Sequence, residues 1–272
     1  MSEEKSYVIG THEAEIARLG LQHRVWRPSV LELWRQGGIT QGQTILDVGA
    51  GPGHAALDLA EIVGPDGRVI AVERSRRFLA WLQATAKTRG LANIQAIEAD
   101  LLDYTWPEAV ADRIWCRWVL AFVSDPVAVL RGMARALKPG GKILIHEYYD
   151  YASWRLAPHS SEFEAYIAKV IDRWRAAGGE PDIGLALPQL LPAAGFEIES
   201  MRPAVFTAHA RDFVWQWPAT FAREHAKVMV DAGEIAPQEA QRLDAIMAHY
   251  EADANAFVVT PGVLHIVAGR PA

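Results

Sequence analysis

The chain has 272 residues, of which 50% are hydrophobic, and a formal net charge of −6. At roughly 150 residues per domain this length suits one large domain or a domain with an elaboration. No long run of like charges breaks the balance, which argues against non-specific nucleic-acid binding, and no apolar run approaches the ~20 residues of a membrane span. The acidic start Met1-Ser2-Glu3-Glu4-Lys5 does not read as a signal peptide. Cys116 is the single cysteine, so no disulfide and no CxxC zinc site forms within the chain, and a cytoplasmic location is expected.

Residues 1–40 read as helical: Ala14 to Trp34 mixes apolar residues with Arg and Glu, with a break expected at Pro28. Thr44–Val48 is a β-branched apolar run ended by glycines, and His54–Val63 is a helix closed by Gly64-Pro65-Asp66-Gly67. Arg68–Glu73 is a second buried strand. Ser75 is placed to cap a helix that runs to about Arg89 and stops at Gly90. Asn93–Glu98 and Ala111–Arg117 are strands three and four. Asp125–Leu137 is a helix, and Lys142–His146 the fifth strand, after the turn Lys138-Pro139-Gly140-Gly141. Alternating strands and helices predict a parallel sheet covered on both faces, with ligands beyond the carboxyl ends of the strands. Further on, Ser160–Ala177 and Arg211–Tyr250 carry helical patterns, the second interrupted at Gly233 and Pro237, and Phe196–Phe206 and Val263–Ala268 read as strands. Of the 25 aromatic residues, 15 follow Glu147.

The segment Asp47-Val48-Gly49-Ala50-Gly51-Pro52-Gly53 links a strand to a helix. Its glycines permit positive φ and close approach of a ligand to the backbone. A dinucleotide fingerprint would need a third glycine where His54 stands, so that pattern fails. A carboxylate at Asp47 repels a pyrophosphate and attracts an ammonium. Glu73, at the end of the second strand, can accept both hydroxyls of a ribose diol, and Asp100 can accept from an exocyclic amine, with Leu101 beside a planar ring. A ligand with ammonium, ribose and adenine in that order is S-adenosylmethionine (SAM), with S-adenosylhomocysteine as its product.

The motifs ILDVGAGPG, RVIAVE, EAD and LKPGGKILIHE resemble, in order and spacing, those of the class I SAM-dependent methyltransferases. Arg117-Trp118-Val119-Leu120 followed by Ser124-Asp125-Pro126 is similar to the segment after the fourth strand in their UbiE-like small-molecule branch. The resemblance implies an α/β fold: a Rossmann-like, seven-stranded, mostly parallel sheet with an antiparallel last strand, plus helical cap elements. It implies residues 1–40 as a helical segment covering the cofactor site, 41–150 as the SAM-binding core, and 151–272 as the remaining strands with a substrate cap. Asp47, Gly49, Ala50, Gly51, Gly53, Glu73, Arg74, Asp100 and Leu101 would hold SAM, with Arg117 where the family's backbone meets the methionine part. Tyr7, Arg18 and Gln22 are candidates for an N-terminal cap over it. The family's His or Glu shortly after Leu120 is replaced here by Ala121 and Phe122, so no catalytic residue carries over from that motif.

Methyl transfer from a sulfonium is in large part a matter of positioning, and a base is needed only if the acceptor keeps its proton at neutral pH. His146 and Glu147 are the base candidates, on opposite faces of the strand; either can instead be a packed, hydrogen-bonded core residue. Tyr148, Tyr149, Trp154 and Trp215 could line an acceptor pocket or pack the auxiliary helices onto the sheet. His209 reads as structural, His225 and Arg223 as solvated, and Cys116 as inert. His12 and His54 could touch the SAM site, and no metal is expected. The expected function is methyl transfer from SAM to a small molecule, at oxygen first and nitrogen or carbon next. A nicotinamide-dependent oxidoreductase and a non-catalytic SAM-binding module are the rivals. No nucleic-acid partner is expected, and a homodimer is left open.

Overall fold

The computed structural model describes residues 13–271. Tyr7 and His12 lie outside the described residues. The elements in chain order are α1 (Glu13–Gln36), β1 (Thr44–Val48), α2 (His54–Val63), β2 (Arg68–Glu73), α3 (Arg76–Thr88), β3 (Ile94–Glu98), β4 (Ala111–Arg117), α4 (Pro126–Ala136), β5 (Leu137–Asp150), β6 (Arg155–Ala157), α5 (Ser161–Ala176), α6 (Leu187–Ala193), β7 (Glu197–Ala204), β8 (Thr207–His209), α7 (Gln216–Asp231), α8 (Pro237–Ala252), β9 (Phe257–Val259) and β10 (Gly262–Gly269).

Packing divides the chain into two compact units. The larger unit comprises Arg27–Tyr149, Gly178–Ala204 and the described part of Val263–Ala272. It carries a seven-stranded sheet in the order β3-β2-β1-β4-β5-β10-β7. β1 pairs in parallel with β2 on one side and β4 on the other, which makes the gap beyond β1 and β4 the topological switch point. β10 runs antiparallel to β7, with His265 opposite Arg202. The helices start where their caps dictate. Ser75 accepts from the Phe78 amide, and Asp125 accepts from the Ala128 amide with Pro126 in the first turn. Ile45, Leu46, Val48, Val69, Val72, Ile114 and Ile143 are shielded from solvent on both sheet faces, as strands covered by helices require. Trp34 of α1 meets Trp115 of β4 edge-on at 5.4 Å, both buried.

The smaller unit comprises Asp150–Ala177, Val205–Gly262 and the described part of Met1–Trp26. It holds α5, α7, α8 and a three-stranded antiparallel sheet in the order β6-β9-β8. Its core is aromatic. Trp217 meets Trp26 edge-on at 5.4 Å and stacks with Trp154 at 6.3 Å.

Pro28 does not break α1. The helix runs through it, because Val30, Leu33 and Trp34 on the following turns are buried and their packing offsets the missing amide bond. No described helix is long and apolar enough to cross a membrane.

Candidate functional site

The larger unit gathers its unusual backbone and its buried charges at the carboxyl ends of β1, β2, β4 and β5. The chain leaves β1 through Gly49, Gly51 and Gly53, all at positive φ (65°, 56° and 79°). Gly49 is needed for space as well as conformation, since a Cβ there would stand 2.4 Å from Val119 Cγ2. Gly51 differs: a Cβ would meet nothing within 4 Å. The backbone is thus open at Gly51, as a cradle for a ligand must be.

Glu73, at the end of β2, is almost fully buried. Its Oε2 accepts from the Gly51 amide and its Oε1 from the Ser75 amide, both at 2.9 Å. One carboxylate therefore ties the glycine loop to the start of α3. Burial raises the Glu73 pKa, while those amides pull the other way.

Asp47 sits on β1 opposite Ala71 and Trp115 and is 2% exposed. Its Oδ2 is buried with no hydrogen-bond partner among the described residues. Burial pushes its pKa up to about 7, Arg117 opposes the shift, and Glu73 adds to it. Arg117, at the end of β4, is itself brought down to about 10 by burial, with Asp47 opposing that shift. An unpartnered buried carboxylate oxygen is costly unless a cation or donor comes to it.

The loop after β4 is shaped by three consecutive residues of β5. Trp118 has φ of 50°, a left-handed conformation that is strained for a bulky side chain. Its amide donates to His146 O at 3.0 Å. His146 meets its indole edge-on at 4.6 Å, and Tyr148 stacks on it at 5.2 Å. Between them, Glu147 Oε1 accepts from the Val119 and Leu120 amides at 2.7 and 2.8 Å.

Glu147 and His146 are both 0% exposed, as consecutive residues of a strand covered on both faces. Burial raises Glu147 to about 8, which keeps its carboxyl largely protonated near neutrality. His146 Nδ1 lies 3.0 Å from His265 Nε2 on β10. Burial holds His146 well below its ordinary pKa and brings His265 down to about 4, so the pair is neutral at pH 7. Glu147 thus ties down the loop after β4, and His146 is half of a buried imidazole pair. His265 left no signal in the sequence beyond one polar residue in an apolar strand.

Asp100 follows β3, half-buried, and its Oδ1 accepts from the Leu102 amide at 3.1 Å. Leu101 is buried, and Arg74 is exposed. Tyr149 is half-buried, and Cys116 is a fully buried thiol whose pKa burial raises well above normal. His54 meets Trp81 edge-on at 4.8 Å.

The remaining expected residues lie in the smaller unit. Arg18 is held by its own helix: Nε and one terminal nitrogen donate to Glu15 at 2.7 Å, and the other donates to Gln22 at 3.1 Å. Trp154 is buried among Phe163, Trp217 and Phe221. Trp215 is buried and donates through Nε1 to Glu251. His209 Nδ1 contacts Ala256 O at 2.8 Å, a structural role. Arg223 is ion-paired with Asp244 and Glu251. His225 is not solvated: it is 3% exposed, because the inner face of α7 packs its ring parallel to Phe221 at 5.0 Å.

A doubly wound sheet with a glycine loop at its switch point and carboxylates after β1, β2 and β3 defines a nucleoside-binding α/β protein. A model described as "Methyltransferase domain" matches residues 39–180. The UbiE ubiquinone/menaquinone biosynthesis C-methyltransferase of Serratia proteamaculans is 29% identical over 152 residues, 56% of this chain and 58% of that protein. The UbiE of Pseudomonas putida is 32% identical over 130 residues, 47% and 50% of the two chains. The chain thus spans between half and three-fifths of these relatives. Among solved structures, geranyl diphosphate C-methyltransferase from Streptomyces coelicolor has a TM-score of 0.57 at 13% identity, covering 91% of this chain and 77% of that one. The [4+2]-cyclase SpnF has a TM-score of 0.56 at 21% identity, covering 90% and 81%. These two likenesses show the fold alone, and a cyclase on it shows that the fold does not dictate the reaction. The chain belongs to the methyltransferase-domain family.

Proposed function

We propose that the chain transfers the methyl group of SAM to a small hydroxylated acceptor. The observation that carries this reading is the buried, unpartnered Oδ2 of Asp47 beside the open backbone of Gly51. An ammonium satisfies that oxygen and compensates a carboxylate that burial destabilises. The amides and open space of Gly49, Ala50, Gly51 and Gly53 receive the ligand backbone. Glu73 keeps a lone pair beyond those taken by the Gly51, Arg74 and Ser75 amides, which suits a ribose hydroxyl. Asp100 offers Oδ2 to an exocyclic amine while Oδ1 holds the Leu102 amide, and Leu101 supports the ring. Arg74, exposed, flanks this part of the site. Arg117 balances Asp47, and its backbone leads into the Trp118 loop.

When bound, SAM supplies a methyl group on a sulfonium that leaves by in-line displacement. His146 and Glu147 fix Trp118, Val119 and Leu120 beside that position and shuttle no proton there. Tyr148 and Tyr149 contribute aromatic wall. Oxygen is the acceptor atom expected from the sequence. Relatives named as C-methyltransferases support carbon beside it. A hydroxylated ring acidic enough to lose its proton to solvent near neutral pH is nucleophilic at both, and needs no base in the site.

Incubation with SAM and a panel of hydroxylated aromatics, with S-adenosylhomocysteine quantified by mass spectrometry, tests the reading. Acceptor-dependent product formation is expected. A protein that binds SAM by titration yet forms no product above the acceptor-free rate is a binding module. One that binds NADH and no adenosyl ligand is the oxidoreductase.

A further inference from the structure

The seven-stranded sheet ends in two edge strands, β3 and β7. The two exposed side chains of β3 are engaged within the chain: Gln95 accepts from Arg68 and Glu98 from Arg76. β7 differs. Glu197, Glu199, Met201, Arg202 and Pro203 are exposed along it, Met201 at 47%. Glu199 accepts from Lys142 at 2.6 Å. Glu197 and Arg202 make no ion pair among the described residues. Arg202 adds to the field at Glu32, but that carboxylate is held by Arg35 and Gln36.

The register with β10 sorts these side chains by face. Arg202, Ser200 and Glu197 lie opposite His265, Val267 and Gly269, alternate residues of β10 and hence on one face of the sheet. Met201 and Ile198 lie opposite Ile266 and Ala268, on the other face. The bulge that leaves Glu199 opposite no residue of β10 makes this so. In an unbroken strand Glu197 and Arg202 would fall on opposite faces. Pro203 has no amide to give β10, so its backbone faces the open edge. By the alternation of an antiparallel ladder, so do the backbones of Met201 and, across the bulge, Ile198.

We propose that a second copy of this chain pairs with β7, the two strands antiparallel about a two-fold axis at Glu199–Ser200. Glu197 of each copy then meets Arg202 of the other, and Ile198 meets Met201. Each match falls on one face of the joined sheet. The apolar matches stand where the open backbone groups are and exchange both ladder hydrogen bonds. The charge matches take the positions between, where opposed side chains approach most closely. Bulges, prolines and charges serve to keep edge strands apart. Here the bulge and the charges are self-complementary, and Pro203 ends the ladder just beyond Arg202, which confines pairing to one register. The contact is isologous and closed, so it stops at a dimer. β7 stands four places from β1 in the sheet, which leaves the glycine loop free.

Analytical ultracentrifugation of the full chain from micromolar to submillimolar concentration tests this. The parent should show a monomer–dimer equilibrium. Arg202→Glu and Glu197→Arg each turn two attractions into two repulsions, and each should weaken self-association about tenfold or more. Mixed together, the two variants restore opposite charges at both positions. The mixture should therefore form a heterodimer, although neither variant dimerises well alone. Met201→Lys, which sets a charge against Ile198, should weaken association of the otherwise unchanged chain. Thermal melts that match the parent show each variant to be folded, as exposed substitutions should be. A parent that stays monomeric over the whole range, single variants that associate as the parent does, or a mixture that stays unassociated would overturn the proposal.

Discussion

Gly49 and Gly51 share a left-handed backbone but answer to different constraints. Gly49→Ala puts a methyl group 2.4 Å from Val119 Cγ2 at φ of 65°, so strain and overpacking add. It should cost about 2–5 kcal/mol. Gly51→Ala meets open space and should cost about 1–2 kcal/mol from conformation alone. Its methyl group would stand where the ligand approaches, so SAM affinity should fall far more than stability. Denaturant melts with SAM titration read both quantities. A Gly51→Ala protein that binds SAM as the parent does would show that the open space is not the cofactor's.

Asp47 gives a prediction with a definite sign. Its folded pKa is raised from 3.8 to about 7, so the native state holds its proton more tightly than the unfolded chain. Stability from this group is fully present below about pH 4 and is lost as pH rises through about 7, at no more than about 1.4 kcal/mol per pH unit. Asp47→Asn should therefore grow more stable relative to the parent between pH 4 and 7, with a constant difference above. The same variant should bind SAM more weakly, a stability gained at the expense of function. Thermal melts across that range check it; a stability difference that does not change with pH would refute the unpaired, buried carboxylate.

At the scale of elements, the loop after β4 takes its shape from His146, Glu147 and Tyr148 acting from one strand. Glu147→Gln keeps a carbonyl oxygen for the Val119 and Leu120 amides and should retain fold and SAM affinity. Glu147→Ala strands both amides and should cost about 2–5 kcal/mol. If Glu147 were the base, the glutamine variant would instead lose turnover with stability intact. Sequence reading found this strand and placed His146 and Glu147 at its end, because KILIH is a plain β-branched apolar run. It offered burial as the alternative for each, because on a strand covered on both faces period-two alternation separates the faces without saying which meets a ligand. His265 escaped notice, a polar residue inside an apolar strand whose partner lies 119 positions away.

At the scale of the molecule, the seven-stranded sheet was legible because each strand is followed by glycine, a helix cap or a proline turn. Phe196–Phe206 and Val263–Ala268 read as strands in the sequence, and β7 and β10 fall on them. The three-residue strands β6, β8 and β9 were not, since so short an extended segment carries no period. His225 was misplaced because the inner face of α7 is defined by aromatic neighbours far away in sequence, Tyr166 among them. What the sequence hides is thus mostly long-range pairing of polar side chains. Ligand linkage offers a check on the larger unit: SAM at a hundredfold excess over Kd should stabilise the fold by about 2.7 kcal/mol.

The central claim is that the unsatisfied carboxylate of Asp47 and the open backbone at Gly51 are the SAM site. A crystal structure with S-adenosylhomocysteine tests it most directly. The account predicts the ligand's ammonium on Asp47, directly or through one water, its ribose on Glu73 and its adenine beside Asp100 and Leu101. Well-ordered S-adenosylhomocysteine elsewhere, with Asp47 Oδ2 still unpartnered, would contradict it.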